Sequence, residues 1–335
     1  MDFGSVPTEN AGGAILAHSV QVGERRLRKG AWLTEAHIAD LTEAGVTEVT
    51  IARLGDADVH EDAAALQLAQ ALVPDPAAVH LELGRPGTGR VNILATRPGI
   101  AAVDAAKINA LNNIDPMITV ATVPEWQRMA SRGMVATVKI ISYGVAEDAL
   151  RRACDAGRGG LTLRPAELTR ATLIQTRVGT DDGEKGHAAI AQRMEALSVD
   201  LDPKHVVPHA IAPLSEALLA AEGEVLCILT GSATSDLLDV APEAVRRAGG
   251  TVHHFGMPVD PGNLLFLGAL GDKPVIGLPG CAKSPALNGA DWVLERIICA
   301  VPVTPTDIMG MGVGGLLKEI PTRPQPRRAQ SSSET

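Results

Sequence analysis

The chain has 335 residues, more than one hydrophobic core holds, since single cores stop growing near ~250–300 residues. Its formal charge is −9 and its pI near 5.5, an acidic field that disfavours phosphate backbones and sets nucleic acid aside as a partner. Hydrophobic residues make up 45% and aromatics only 2%, so the core is built from small aliphatic layers, which suit helices packed on parallel strands.

Cys154, Cys227, Cys281 and Cys299 are widely spaced and never form Cys-x-x-Cys, which argues against a zinc ribbon and a disulfide framework. Met1 to Asn10 has neither a basic n-region nor an apolar h-region. No apolar run approaches the ~18 residues of a membrane span. The expectation is a cytoplasmic protein without a membrane partner.

In chain order, Gly13–Leu33 reads as two short extended segments around a turn at Gly23. A helix is expected over residues 34–44, with Thr34 as N-cap, Glu35 in its first turn and Gly45 as its stop. VTEVTIARL reads as a strand, and residues 61–72 as a helix closed by Pro74 and Pro76. These elements make an N-terminal segment, residues 1–77.

Residues 78–167 read as an α+β middle unit. VHLELGR and RVNILAT pair as a hairpin around Pro86-Gly87-Thr88-Gly89, followed by a helix near residues 104–111, the strands ITVATV and MVATVKIIS, and a helix over residues 146–156.

From Leu168 long apolar strands alternate with helices. ATLIQT, EVLCILT and PVIGL read as buried strands; residues 187–197, 213–221, 240–248 and 286–299 read as helices. The expected fold is α/β, an open, mostly parallel sheet with helices on both faces over residues 168–302, preceded by a smaller α+β region. Residues 303–335 end in PTRPQPRRAQSSSET and read as a disordered tail.

Three segments of this last domain carry chemistry. Thr230-Gly231-Ser232-Ala233-Thr234-Ser235-Asp236 follows an apolar strand and precedes a helix, where open α/β sheets bind ligands. Small and hydroxyl residues there let backbone N–H groups approach an anion. Asp239 opens the next helix, placed to cap amides or to hold Mg²⁺. A tight turn with a capping aspartate is the other reading of the same residues. Leu278-Pro279-Gly280-Cys281-Ala282-Lys283-Ser284 again links a strand to a helix, and Lys283 and Ser284 add a cation and a hydroxyl suited to phosphate. Between them, Gly256–Asn263, with Pro261 and Gly262, forms a rigid, shaped loop.

At these residues the sequence resembles the molybdopterin-binding domains of gephyrin-type molybdopterin molybdenumtransferases. TGSATSDLLD, DPGN and LPGCAKSP stand in the order and spacing of that family's motifs, over about residues 168–300, with a weaker resemblance over residues 12–60. The resemblance implies that Thr230, Gly231, Ser232 and Thr234 cradle the pterin's phosphate. Pro261, Gly262, Leu278, Pro279 and Gly280 then shape the opposite wall, and Asp239 is the acid of a Mg²⁺-dependent step. It further implies molybdopterin as ligand or substrate, molybdate as a co-substrate, a role in molybdenum-cofactor biosynthesis and a homodimer.

The chain departs from that pattern at several points. Ser232 replaces the second glycine of the phosphate loop, Cys281-Ala282 replaces asparagine-proline, and QTRVGTDDGEKGH stands where an acidic motif is expected. These losses bear on metal insertion more than on pterin binding. They set beside the transferase a non-catalytic carrier that serves a partner nucleotidyltransferase or molybdoenzyme. A third reading is an α/β enzyme of another phosphorylated metabolite. Other features read as ordinary structure. Gly84–Gly89 is a hairpin turn, Pro208 breaks any helical pairing of His205 with His209, and His253 and His254 point to opposite faces of a strand.

Overall fold

The computed structural model describes residues 1–317. The chain forms two compact units, Met1–Arg164 and one beginning at Pro165. Among the described residues no helix is long and apolar enough to cross a membrane.

The first unit is α+β with antiparallel strands. Glu48–Arg53 is the middle of a three-stranded sheet between Asp2–Pro7 and Ile15–Leu16. Glu35–Glu43 is a helix whose Thr34 hydroxyl accepts from the His37 N–H, while the His37 ring takes the Thr34 N–H in return. Gly45 ends it at φ +75°, a conformation that costs glycine little. Val20–Val22 and Arg25–Leu27 form the hairpin around Gly23.

A four-stranded sheet runs Ile118–Thr122, Met134–Ile140, Arg90–Ala95, Leu81–Leu83. The expected hairpin is present, with Leu81 opposite Ala95. Helix Glu61–Leu72 buries Ala64, Ala65, Leu68 and Leu72 in the same core as Val91, Ile93, Val138 and Ile140, joined by Ala149, Leu150 and Ala153 of helix Glu147–Gly157.

The second unit is built on a mixed sheet. From Val225–Leu229 outward on one side lie Arg170–Arg177 and then Asp200–Leu201 and His205–Pro208, all parallel. On the other side Lys273–Leu278 is also parallel, whereas Phe266–Leu270 and Thr251–Phe255 add an antiparallel arm. Strand side chains alternate between faces. Ile174, Leu226, Ile228 and Val275 therefore pack on one face with helices Ile211–Ala220 and Val240–Arg247. Helix Glu184–Glu195 covers the other: a Cβ on Gly186 would lie 2.7 Å from Leu229. Phe266 lies across Gly277 so closely that any Cβ there would overlap its ring.

The chain stays ordered past Val303, contrary to expectation. Thr304 caps helix Pro305–Met309 in a reciprocal box with Asp307, and the Asp260 N–H then donates to the Gly315 carbonyl at 2.8 Å. The remainder of the expected tail, from residue 318, lies outside the described residues.

Candidate functional site

Register fixes where the loops emerge. Gln175 pairs with Leu229 and Leu229 with Leu278, so the loops of the three parallel strands leave one edge of the sheet, the first strand running on to Arg177.

The first loop, residues 178–183, is held by side chains of its strand, of the loop itself and of the third loop. Buried Gln175 donates to the Gly183 carbonyl at 2.9 Å, and Asp181 accepts from the Gly183 N–H at 3.0 Å. Lys283, from the third loop, reaches Asp181 at 3.3 Å. The Gly183 amide and then the Lys283 ammonium hold the Asp181 carboxyl below the usual carboxylate range.

The second loop begins with Thr230, buried, its hydroxyl 3.3 Å from that of buried Thr234. The Gly231 N–H donates to the Thr176 hydroxyl at 3.0 Å, and the same hydroxyl lies 2.8 Å from His209 Nδ1. A Cβ on Gly231 would fall 2.7 Å from the Thr176 carbonyl oxygen and 2.9 Å from the Val178 nitrogen. Only glycine lets the loop cross here. Ser232 and Ala233 are exposed. No described residue accepts a hydrogen bond from the N–H groups of Ser232, Ala233 or Thr234.

The loop closes on Asp239. Its Oδ2 accepts from the Ser235 N–H at 3.0 Å and its Oδ1 from the Val240 N–H at 2.7 Å, which makes it the N-cap of helix Val240–Arg247. Mg²⁺ takes six oxygens in near-ideal octahedral geometry. Among the described residues no group of three or more His, Cys, Asp or Glu side chains is placed to hold a metal ion. The described residues thus form no Mg²⁺ site by themselves, and an ion at Asp239 would take its other ligands from water and substrate phosphate.

In the third loop Leu278 is the last residue of its strand, Pro279 is buried, and Gly280–Lys283 forms a 3₁₀ turn. The Ser284 hydroxyl accepts from the Ala286 N–H at 3.3 Å, and the Cys281 sulfur accepts from Asn288 Nδ2 at 3.0 Å. Pro261 and Gly262 come from the segment between the second and third loops. Both are buried against the start of helix Gly289–Ile298, where the Pro261 carbonyl accepts the Gly289 N–H at 2.8 Å. Gly262 at φ +147° leaves 3.0 Å between a would-be Cβ and the Gly289 nitrogen. The described contacts tie Pro261 and Gly262 to that helix start rather than to Thr230–Thr234.

The sequence reading missed the residue that organises the third loop. Arg193 is buried, pairs with Asp291, and donates to the carbonyls of Ala282, Ser284 and Ala286. The local signal was an arginine on the apolar face Ala189-Ile190-Met194 of its helix. Thr176 and the His209 ring were also not assigned to the site.

The second unit thus belongs, by its own geometry, to the α/β sheets that present loops beyond the carboxyl ends of parallel strands, the usual ligand edge of such sheets. In comparisons with known proteins, a family model for a domain of unknown function (DUF8806) matches residues 5–53. No curated protein matches the chain. Among solved structures, the chain is similar to the molybdopterin biosynthesis moea protein from Pyrococcus horikosii, at 13% identity over 93% of this chain and 76% of that one, with TM-score 0.29. It is also similar to a molybdenum cofactor biosynthesis protein from Pyrococcus furiosus, at 11% identity over 92% of this chain and 65% of that one, with TM-score 0.23. Superpositions this loose leave fold and function to be argued from this chain's own residues.

Proposed function

We propose that the second unit binds molybdopterin by its phosphate and that the protein serves molybdenum-cofactor biosynthesis. The observation that supports this reading is the run of N–H groups at Ser232, Ala233 and Thr234, which no described residue engages, beside the end of the central strand. Successive amides without protein acceptors are donors available to an anion. The motif resemblance supplies the pterin. Lys283, on another loop of the same sheet edge, is held by Asp181 and is a cation of the kind that pairs with phosphate.

The finer reading, Mg²⁺-dependent activation of molybdopterin or insertion of molybdate with Asp239 as the acid, asks that carboxylate to use its remaining lone pairs while each oxygen accepts one backbone N–H. Carriage of the cofactor to a nucleotidyltransferase or molybdoenzyme needs no metal-binding acid, and we favour it because QTRVGTDDGEKGH stands where the acidic motif is expected. A cytoplasmic homodimer is part of the same proposal.

The test is calorimetric titration of molybdopterin into the protein and into a Ser232→Asp variant. Binding by the first and its loss in the second support the site; equal binding by both places the pterin elsewhere. Incubation with molybdate and adenylylated molybdopterin then separates carrier from transferase, since only a transferase converts what it binds.

A further inference from the structure

We infer that His209 is a ligand-binding residue of this same site: held in one tautomer by Thr176, it presents a fixed Nε2–H to a phosphate oxygen. The inference rests on the anion-binding reading of the 230–234 loop and adds to it a side-chain donor.

Thr176 is 3% exposed, so its hydroxyl is shut off from bulk water. A backbone N–H can only donate, so in the 3.0 Å contact from Gly231 the hydroxyl oxygen is the acceptor. Its own hydrogen must then find an acceptor, because buried hydroxyls in folded proteins are almost always satisfied. Among the described residues the other group bonded to that oxygen is His209 Nδ1, at 2.8 Å. The chain therefore runs Gly231 N–H to Thr176 O–H to His209 Nδ1. Nδ1 is the accepting, unprotonated nitrogen, and the ring proton sits on Nε2.

Nε2 lies across the ring from Thr176, and no described residue accepts a hydrogen bond from it. His209 is half-buried rather than exposed, and its backbone N–H is fixed to the Arg177 carbonyl at 3.1 Å. Ring and backbone are thus both anchored to the end of strand Arg170–Arg177. The ring stands one hydroxyl away from Gly231, where the loop with the unengaged amides begins. A neutral imidazole whose remaining proton cannot move to the other nitrogen is a directional donor, and phosphate oxygens are strong acceptors for it. The sequence alone gave no sign of this, because Thr176 and His209 are 33 residues apart and meet only when the parallel strands align.

The experiment is ¹⁵N NMR of the full chain titrated with inorganic phosphate, observing the His209 ring nitrogens and the Gly231–Thr234 amides. The expected result is a non-protonated, pyridine-like Nδ1 before addition, then movement of both the loop amides and Nε2. A protonated Nδ1 in the free protein overturns the inference. Amide shifts without any change at Nε2 also overturn it while leaving the loop as an anion site, whereas no shift at either removes both readings. Two variants separate a ligand contact from a purely structural role. His209→Asn keeps an acceptor for Thr176 but has no donor at the Nε2 position; His209→Gln places an amide nitrogen there. The Asn variant should keep the wild-type melting temperature and bind phosphate about tenfold more weakly, as loss of a bond to a charged group implies, with Gln restoring part of the loss. Asn binding as tightly as wild type would leave His209 as no more than a partner for Thr176.

Discussion

Arg193 and Asp291, 98 residues apart in the chain, form an ion pair in which both side chains are more than nine-tenths buried. Asp291 also accepts the Asn288 N–H at 2.9 Å, and the guanidinium spans the carbonyls of the third loop. Removing one member of a buried pair leaves an uncompensated charge, at a cost of about 3–5 kcal/mol. Arg193→Met should lower stability by about that amount in urea denaturation, and adding Asp291→Leu should recover part of it. A change below about 1 kcal/mol, the range of exposed pairs, would mean that water reaches the pair.

Gly231 and Ser232 are neighbours that should respond in opposite ways to the same substitution. A Cβ at Gly231 meets backbone atoms at 2.7 and 2.9 Å, which cannot give as a side-chain tip can. Gly231→Ala should therefore destabilise the fold by about 1–3 kcal/mol, the usual cost of overpacking. Ser232 is exposed, so Ser232→Asp should melt with the wild type while its charge repels a bound phosphate and weakens binding at least tenfold. Thermal melts beside phosphate titrations read both quantities. Equal binding by Ser232→Asp and wild type would remove the loop from the site.

What could be read in the sequence follows how local each signal is. Thr34, Asp104 and Asp239 all cap helices in the structure, because a cap acts within four residues of itself. The three buried parallel strands were legible as apolar runs. The antiparallel arm Phe266–Leu270 was missed, although Gly271-Asp272 between two apolar segments is a hairpin signal. Thr304-Pro305-Thr306-Asp307 is likewise a capping box that the polar composition of the tail obscured. The site was legible as loops but not as contacts. Thr176 with His209, Lys283 with Asp181, and Arg193 with Asp291 are set by strand order and helix packing, which composition and period do not encode. Asp239 marks the limit of motif reasoning. Its position matches an acid, and its oxygens accept from two backbone amides, a bond pattern common to a plain cap and to an acid that also caps.

The thiols should differ sharply in reactivity. Cys227 sits in the central strand, and full burial pushes its thiol up to about 12, so almost no thiolate exists at neutral pH and no reagent reaches it. Cys281 is half-buried at the site edge, its sulfur accepting from Asn288. In native protein treated with iodoacetamide, mass spectrometry should find Cys281 modified well before Cys227. Cys227 should label only as urea unfolds the second unit. Early labelling of Cys227 would show that the central strand opens without global unfolding.

Glu61 gives the first unit a pH dependence whose sign can be stated. Burial, followed more weakly by the Asp62 charge, raises its carboxyl above the ordinary glutamate value, while Lys139, His60 and Lys29 pull the other way. Lys139 reaches only to 3.8 Å and also donates to the Thr88 carbonyl, so its pull does not cancel the desolvation. A raised value means that the native state keeps the proton over a range where the unfolded chain has released it. The resulting stability is fully present below the unfolded glutamate value and lost as pH rises through the folded one. Glu61→Gln keeps the shape without the charge. Its stability relative to wild type, from denaturant melts at a series of pH values, should therefore increase as pH climbs through the acidic range. Parallel curves would mean that Lys139 fully compensates the buried carboxylate, and a falling difference would mean that the ion pair stabilises the fold.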